Sequence, residues 1–273
     1  SIVYVNTESK GILKINTRTK SSLVLNNSRN FSGIPLIKHN NHLFSGRGGL
    51  IFKLGLTDNG VKLNQKITTK HKFIWSFLAG NDSLLYYGTS LGLSSVNLST
   101  LEHSDLCHGL GNVYQIVKTD DGMLWICSAT GLHLFNISAN KIEVSIGQNQ
   151  TLHIPAQEVY TIHTNGEKLW LGTEAGLIDY DLKNKEYKIY NKQNGFSNQK
   201  IYGICASQNN HLWLTTDFGL IRFNKRTKSN TSFLKKDGLS NNEFNRTSFL
   251  RLTDGTLALG GLNGVITFNP NKI

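Results

Sequence analysis

Serine and histidine are the residue types in this sequence whose spacing could indicate a catalytic site. The stretch GTSLG, residues 88–92, matches G-x-S-x-G, in which a serine nucleophile sits on a strained turn between a strand and a helix. Here a second strand is predicted after the turn, and Glu174, Asp217 and Leu262 take the place of Ser90 in other copies of the same pattern. We therefore interpret the match as a product of a repeat, not as a hydrolase motif.

Histidine and cysteine show no metal-ligand spacing. The nine histidines form neither HExxH nor HxH, and the three cysteines include no CxxC, so we predict no metal site and no cofactor. His71, His108 and His153 fall in predicted connecting loops, where they could contact a ligand or be solvated. Cys127 and Cys205 fall in predicted strands, where we expect small buried hydrophobic side chains.

The elements that position these residues come from one short pattern. Its best copy is LWLGTEAGLIDYDL (Leu169 to Leu182), two apolar and β-branched runs around a Gly-containing turn, which predicts two antiparallel strands. A period of about 40 to 45 residues with several strands per copy is typical of β-propellers, and apolar runs this short do not fit helical repeats. The glycine of the turn marks seven copies: Gly11, Gly49, Gly92, Gly131, Gly176, Gly219 and Gly264.

Each copy predicts four strands, A to D. Strand A, such as Val159 to Thr164 or Ser248 to Thr253, joins strand B through a short polar turn, such as residues 165–167 and 208–210. Strand C ends in Asn or Asp in six of the seven copies, with Leu54 in the second, and Asn or Asp favours the following turn. The first copy lacks strand A and the last lacks strand D. We predict one all-β domain over residues 1–273, a seven-bladed β-propeller of four-stranded antiparallel blades with incomplete first and last blades.

Aromatic residues recur at one place in strand B. Trp125, Trp170 and Trp213 share it, with Tyr86 in a fourth copy. A stripe of this kind could stack on carbohydrate, but its recurrence favours a wedge in the core between neighbouring blades. Trp75 lies on strand A of one copy and breaks the repeat, which makes it the better ligand candidate.

The chain carries a net charge of +11, which is consistent with an acidic partner. No run approaches the ~18 apolar residues of a membrane span. In an up-and-down blade the A to B and C to D turns share one side. Many basic residues lie there, and we interpret them as a solvated rim: Arg18, Lys20, Lys62, Lys141, Lys183, Lys185, Lys225, Arg226, Lys228 and Lys272.

The opposite side carries fewer candidates, which depart from the repeat. Such departures within loops are where a repeat scaffold usually places ligand specificity. A mixed set of basic, amide and aromatic side chains could hold a sugar, especially an anionic one, through charge-assisted hydrogen bonds and stacking. The predicted ligand-binding residues are Arg47, Lys72, Trp75, His108, His153, Lys200, Asn242 and Arg246.

Two copies resemble a known repeat family. LWLGTEAGLIDYD and LWLTTDFGLIRFN, with preceding segments such as NGFSNQKIYGI (Asn194 to Ile204), resemble the two-component regulator propeller repeat. The last copy, Asp237 to Pro270, looks like the terminal blade of that family. The resemblance covers nearly the whole chain, although the first two copies match poorly.

The resemblance implies the periplasmic sensor region of an inner-membrane hybrid two-component system. In that family two seven-bladed propellers precede a connecting domain, a membrane helix and cytoplasmic histidine kinase and response-regulator domains. This chain would be the second propeller, a non-catalytic part of a homodimer, with membrane contact only through other segments. The implied ligands are oligosaccharides from complex glycans, and the implied output is control of glycan-utilisation genes. No ligand-residue motif is carried over.

Two alternatives remain open. A propeller enzyme of the streptogramin-lyase type needs a histidine and a carboxylate that converge, and the nearest pair, His163 and Glu158, is predicted on opposite faces of a regular strand. A scaffold or dimerisation propeller, with the ligand site elsewhere, is equally compatible with the sequence. Nucleic-acid binding is not expected, because the lysines are dispersed and are not interleaved with exposed aromatic residues.

Overall fold

A computed structural model describes residues 1–166, 168–207 and 210–272, and these form seven β-sheets and short 3-10 helices. The predicted turns at 165–167 and 208–210 include Glu167, Gln208 and Asn209, which lie outside the described residues. No helix in the described part of the chain is long and apolar enough to cross a membrane.

The first four sheets are β1 Ile2–Thr7, β2 Gly11–Asn16 and β3 Ser21–Val24; β4 Leu36–His39, β5 His42–Arg47, β6 Leu50–Leu56 and β7 Val61–Thr68; β8 Ile74–Asn81, β9 Leu84–Thr89, β10 Gly92–Asn97 and β11 His103–His108; β12 Val113–Lys118, β13 Leu124–Ser128, β14 Gly131–Asn136, β15 Lys141–Gly147 and β16 Leu152–His153. The last three are β17 Val159–Thr164, β18 Lys168–Thr173, β19 Leu177–Asp181 and β20 Glu186–Tyr190; β21 Ile201–Ala206, β22 His211–Thr216, β23 Leu220–Asn224 and β24 Asn230–Phe233; β25 Phe244–Arg251, β26 Leu257–Gly261 and β27 Gly264–Phe268. The 3-10 helices are Arg29–Phe31, Lys192–Asn194, Lys235–Asp237 and Pro270–Lys272.

Within each sheet the strands follow one another in chain order. The first and last sheets have three strands, so the prediction of an all-β, seven-bladed β-propeller fold with incomplete first and last blades is confirmed. The fourth sheet adds β16, which the sequence did not predict and which pairs in parallel with β15. Strand β25 begins at Phe244, before the predicted start at Ser248, because a register shift follows Phe244.

The chain divides into two compact units. One comprises Ser1–Ile126 and Phe135–Ile142, and the other comprises Cys127–Leu134 and Glu143–Ile273. The first three sheets belong to the first unit and the last three to the second. The division passes through the fourth sheet, and the single domain over residues 1–273 stays a prediction.

The core consists of apolar clusters that each join two consecutive sheets. Trp170 packs with Phe223 of the next sheet at a ring-centroid distance of 5.6 Å, and Trp213 packs with Phe268 at 4.8 Å. Tyr86 lies in the cluster that joins the third and fourth sheets. Trp125 is also buried, at 4% exposure. The strand B aromatics are core residues, as predicted, and the rings of Trp170, Trp213 and Tyr86 lie between consecutive sheets.

The glycine of the B to C turn is required twice over. Gly176 has φ +144°, and a Cβ there would lie 2.5 Å from the carbonyl oxygen of Tyr190 on β20. Gly264 also has a positive φ, of +119°, but a Cβ there would meet no atom within 4 Å among the described residues. The last sheet lacks a fourth strand, so the crowding at Gly176 comes from strand D.

The two strand cysteines are buried as predicted. Cys127 lies in β13 and Cys205 in β21, with 0% and 4% exposure. Burial raises the pKa of the Cys205 thiol to about 12, so this side chain stays an uncharged thiol.

Candidate functional site

Strand A carries a β-bulge in the third, fifth and sixth sheets, and each bulge presents an aromatic residue. In β17 the pairing with β18 skips from Val159 to Thr161, so Tyr160 is the extra residue. The same shift makes Trp75 extra in β8 and Tyr202 extra in β21. A bulge re-aims the extra side chain relative to regular alternation, and bulges are common beside functional sites.

The prediction that Trp75 breaks the repeat is wrong. It occupies the same bulge position as Tyr160 and Tyr202, and Tyr114 follows Val113 in the corresponding place of β12. The sequence carried this signal as an Ile or Val followed by an aromatic residue in four consecutive strand A segments. Trp75 is half-buried, and its ring lies 6.3 Å from that of Tyr114 in an edge-on contact. Its ligand role stays a prediction.

Arg246 is placed over two of these bulge tyrosines. Its Cζ atom lies 4.8 Å from the ring centroid of Tyr160 and 5.3 Å from that of Tyr202. The two rings are themselves 5.4 Å apart and nearly perpendicular. Strands β17, β21 and β25 contact one another, so strand A of three consecutive sheets brings the three residues together. A guanidinium within about 6 Å of a ring face makes a cation–π contact.

Two carboxylates adjoin the tyrosines. The Tyr160 hydroxyl donates a hydrogen bond of 2.6 Å to Glu158 Oε2. Glu174 accepts hydrogen bonds from the backbone N–H groups of Gln157 and Glu158, at 2.6 Å and 3.0 Å. Burial, reinforced by Glu158, raises the pKa of Tyr160, so its phenol remains a donor. We call Arg246, Tyr160, Tyr202, Glu158 and Glu174 the Arg246 cluster; it offers donors and acceptors on an aromatic base.

Three predicted residues of the first unit are exposed. Arg47 Nη1 donates to the backbone oxygen of Asn30 at 3.1 Å. The backbone of Lys72 lies beside the turn at Gly49, where a Cβ would be 3.6 Å from Lys72 Cα. His108 is the last residue of β11, so its predicted location in a loop is wrong. Whether these residues bind ligand stays a prediction.

The other predicted residues of the second unit make local contacts or face solvent. His153 lies in β16, not in a loop as predicted, and its Nδ1 is 3.0 Å from the backbone oxygen of Gln148. Asn242 Oδ1 accepts a hydrogen bond of 2.6 Å from the backbone N–H of Lys235. Lys200 is exposed. Their ligand roles also stay predictions.

A Ser-His-Asp group in the first unit, in which His71 and Ser94 are buried and Asp105 is exposed, was missed by sequence reasoning. His71 Nε2 lies 3.1 Å from Asp105 Oδ1 and 3.2 Å from Ser94 Oγ, which itself donates to Asp105 at 2.9 Å. Burial alone would raise the pKa of Asp105, but the bonds from His71 and Ser94 hold it below its usual value. In a catalytic triad the serine and the acid meet opposite ring nitrogens, whereas here both meet Nε2. His71 is 9% exposed, not solvated, and this group ties its loop to the third sheet.

The pair required by a streptogramin-lyase type of enzyme does not converge. Glu158 precedes β17 and His163 lies near the far end of that strand. Five residues of extended chain span about 16 Å. The bulge at Tyr160 removes the regular alternation that predicted opposite faces, so distance along the strand is what separates the two side chains.

Comparisons by sequence gave no result: no protein-family model and no curated protein matches the chain. Solved structures do match. Two crystal structures of the extracellular domain of BT4673 from B. thetaiotaomicron, described in one case as a proposed one-component system and in the other as a proposed hybrid two-component system, give TM-scores of 0.76 and 0.77 at 16% and 17% identity. Each alignment covers 98% of this chain and 36% of that chain, so this chain spans about a third of their length.

Two further solved structures share the fold. The extracellular domain of BT3049 from B. thetaiotaomicron, a proposed hybrid two-component system, gives a TM-score of 0.56 at 17% identity over 99% of this chain and 44% of that chain. The computationally designed protein Ika8 gives 0.63 at 12% identity over 98% of this chain and 80% of that chain. A fold shared with a designed protein does not by itself carry a function. The chain has the β-propeller fold found in the extracellular domains of BT4673 and BT3049.

Proposed function

We propose that the chain is a non-catalytic recognition propeller in the extracytoplasmic part of a hybrid two-component sensor, and that the Arg246 cluster binds its ligand. The stacking of Arg246 on Tyr160 and Tyr202 carries this proposal. It places an exposed guanidinium on two rings at bulges, beside Glu158 and Glu174. The fold likeness to the extracellular domains of proposed two-component systems supports the sensor role.

The proposed ligand is an oligosaccharide. Sugar hydroxyls both donate and accept, and the Arg246 cluster offers guanidinium donors next to carboxylate acceptors. One guanidinium against two carboxylates gives the cluster a net charge of about −1, since the phenol of Tyr160 stays protonated. This balance favours neutral sugars over acidic ones at this site.

The proposed output follows from population shift. In a dimeric sensor of the periplasm, ligand binding changes the signal only if one arrangement of the dimer binds the ligand better than the other. We propose that the rest of the protein carries a membrane anchor and a cytoplasmic histidine kinase, and that the kinase controls transcription of glycan-utilisation genes. The homodimer belongs to the complete sensor region.

Calorimetric titration of the 273-residue chain with short neutral oligosaccharides from plant and host glycans tests the ligand site. Arg246→Gln removes the positive charge and the planar guanidinium that stacks on the two tyrosine rings. We expect it to weaken ligand binding by at least about tenfold, as for the loss of a charge-assisted hydrogen bond. Arg18→Gln, in an exposed turn of the first sheet, makes the same charge change and should leave binding unchanged.

Either of two results would contradict the proposal. Equal affinity of wild type and Arg246→Gln would place the ligand away from the Arg246 cluster. No saturable binding of any oligosaccharide would remove the recognition role and favour the scaffold propeller, with the ligand site elsewhere in the sensor.

A further inference from the structure

A basic cleft lies between the fifth and sixth sheets, beyond the Arg246 cluster. Its volume is about 240 Å³, the space of about eight waters in liquid water. Strand β17 begins at Val159, next to Tyr160 of the cluster, and ends at Thr164, one residue before Asn165 of the cleft. The residues that give the cleft its character are Lys168, Trp170, Asp179, Lys225, Arg226 and Lys228.

The turn between β23 and β24 holds three of the cations in place. The side-chain oxygen of Asn224 accepts a hydrogen bond of 2.9 Å from the backbone N–H of Arg226. Lys228 has a left-handed φ of +63°, and its N–H donates to the backbone oxygen of Asn224 at 2.9 Å. The N–H of Lys225 donates to the backbone oxygen of Asn210 at 2.8 Å. The turn therefore presents Lys225, Arg226 and Lys228 from a fixed backbone.

Two of the cations around the cleft have acidic partners. Lys228 Nζ lies 3.3 Å from Asp179 Oδ2, whose side chain is only 10% exposed. The same ammonium lies 4.8 Å from the Trp170 ring centroid, so it is held by a cation–π contact as well. Lys168 Nζ is 4.0 Å from Asp181 Oδ2. Within each pair the positive and negative charges cancel. Lys228 was predicted to be part of a solvated rim, but it packs against Trp170 and pairs with Asp179.

Lys225 and Arg226 supply the positive charge that is left. Neither has a carboxylate within 4 Å among residues 1–166, 168–207 and 210–272. Their surroundings show the effect of this charge at His163, whose pKa is lowered by burial and further by Lys225 and Arg251. A cleft with surplus positive charge next to a buried ring is electrostatically suited to an anion.

We infer that this cleft binds the oxyanion group of a small ligand, a carboxylate or sulfate carried by one sugar residue. Arginine offers a planar fork of N–H donors that matches such a group, and Lys225 adds a second positive charge. The space is sufficient for one sugar residue. The Arg246 cluster has the opposite charge balance, so the two sites differ in the ligand chemistry they favour.

Titration of the 15N-labelled 273-residue chain tests the inference, with sodium glucuronate, sodium sulfate and uncharged glucose as probes at constant ionic strength. We expect glucuronate or sulfate to shift the backbone amide signals of Lys225, Arg226 and Lys228 in a saturable way, and glucose to leave them in place. The double variant Lys225→Gln/Arg226→Gln should weaken anion binding by about tenfold, as for the loss of two partly exposed charge contacts.

A matched control makes the same charge change in the corresponding turn of the fifth sheet. Lys183→Gln/Lys185→Gln should keep the wild-type affinity. The lower dissociation constant of the two, for sulfate or for glucuronate, then identifies whether the cleft favours a sulfated sugar or one that carries a carboxylate. Linear, unsaturable shifts with both anions, or equal weakening in the control, would show only general charge attraction and overturn the inference.

Discussion

The guanidinium of Arg246 lies over the ring of Tyr160, with its Cζ atom 4.8 Å from the ring centroid. The two residues come from strand A of the seventh and fifth sheets, and Tyr202 of the sixth sheet lies between them in the chain. Tyr160 is 1% exposed, whereas Arg246 is exposed. The tyrosine is thus a fixed base, and the arginine is the part of the contact that a ligand can reach.

The Tyr160 ring and hydroxyl can be separated by two substitutions. Tyr160→Phe keeps the ring and removes the hydroxyl that bonds to Glu158, and it should lower the free energy of unfolding by about 1 kcal/mol. Tyr160→Ala also removes the buried ring under Arg246 and should cost about 3–5 kcal/mol, by analogy with other aromatic truncations. Urea unfolding of both variants measures the difference. Equal losses would show that the ring contributes little.

Trp213 is expected to be among the most costly residues to truncate. It is 1% exposed and packs against Phe233 of its own sheet and Phe268 of the next. Trp213→Ala should lower the free energy of unfolding by about 3–5 kcal/mol. Tyr187→Ala, at an aromatic that is 37% exposed, is the control and should change it by less than about 1 kcal/mol. Similar losses at both positions would contradict the wedge role of Trp213.

The turn glycines permit a test of crowding against backbone strain. Gly176→Ala must accept both a positive φ and a carbonyl oxygen at 2.5 Å, whereas Gly264→Ala must accept only the positive φ. The strain alone costs about 1–2 kcal/mol, so we expect that loss for Gly264→Ala and a larger one for Gly176→Ala. Thermal and urea unfolding of the pair would show it. A greater loss at Gly264 would contradict the role assigned to strand D.

His133 should make stability depend on pH in acid. Burial lowers its pKa from 6.5 to about 4, and its ring nitrogens lie 3.1 Å from Thr130 Oγ1 and 2.8 Å from Ser145 Oγ. Between these two pKa values the unfolded chain binds a proton that the folded chain does not. The free energy of unfolding therefore falls as pH drops through this window, by up to about 3 kcal/mol.

The measurement is urea unfolding of wild type and His133→Gln across that window. Burial also lowers the pKa values of His42, His103 and His163, and their protonation adds to the wild-type slope. The contribution of His133 is therefore the difference between the two curves, which should close as pH falls. Parallel curves would rule it out.

Most of the fold could be predicted because its signals are local. Strand β17 matches its predicted bounds, Val159 to Thr164, since a polar turn marks its end. The bulges could not be predicted in this way, because an extra residue leaves the run of apolar residues intact. The early start of β25 and the position of Trp75 were missed for that reason.

The candidate sites could be predicted only in part. Arg246 was predicted as a loop residue that departs from the repeat, but it lies in β25, because that strand begins before its predicted start. Tyr160 and Tyr202 show the pattern of ordinary strand residues. Ser94, His71 and Asp105 come from three separate segments, so no motif with a fixed spacing in the sequence indicates that they meet. Likewise, Lys225 and Arg226 resemble the other basic residues of the turns in the sequence. The structure distinguishes them, because Lys228 of the same turn pairs with Asp179 and these two do not pair with a described carboxylate.

The apolar clusters that join consecutive sheets also determine how the protein loses its structure. Trp170 is buried by residues of the sixth sheet, and Trp213 by residues of the seventh. A sheet that detached would expose one face of itself and one of each neighbour, so the cooperative element is the boundary between two sheets. Stability then adds up from nearest-neighbour terms, as in repeat proteins. Amide hydrogen exchange should accordingly be slowest in a strand such as β22, which contributes residues to a cluster on each side.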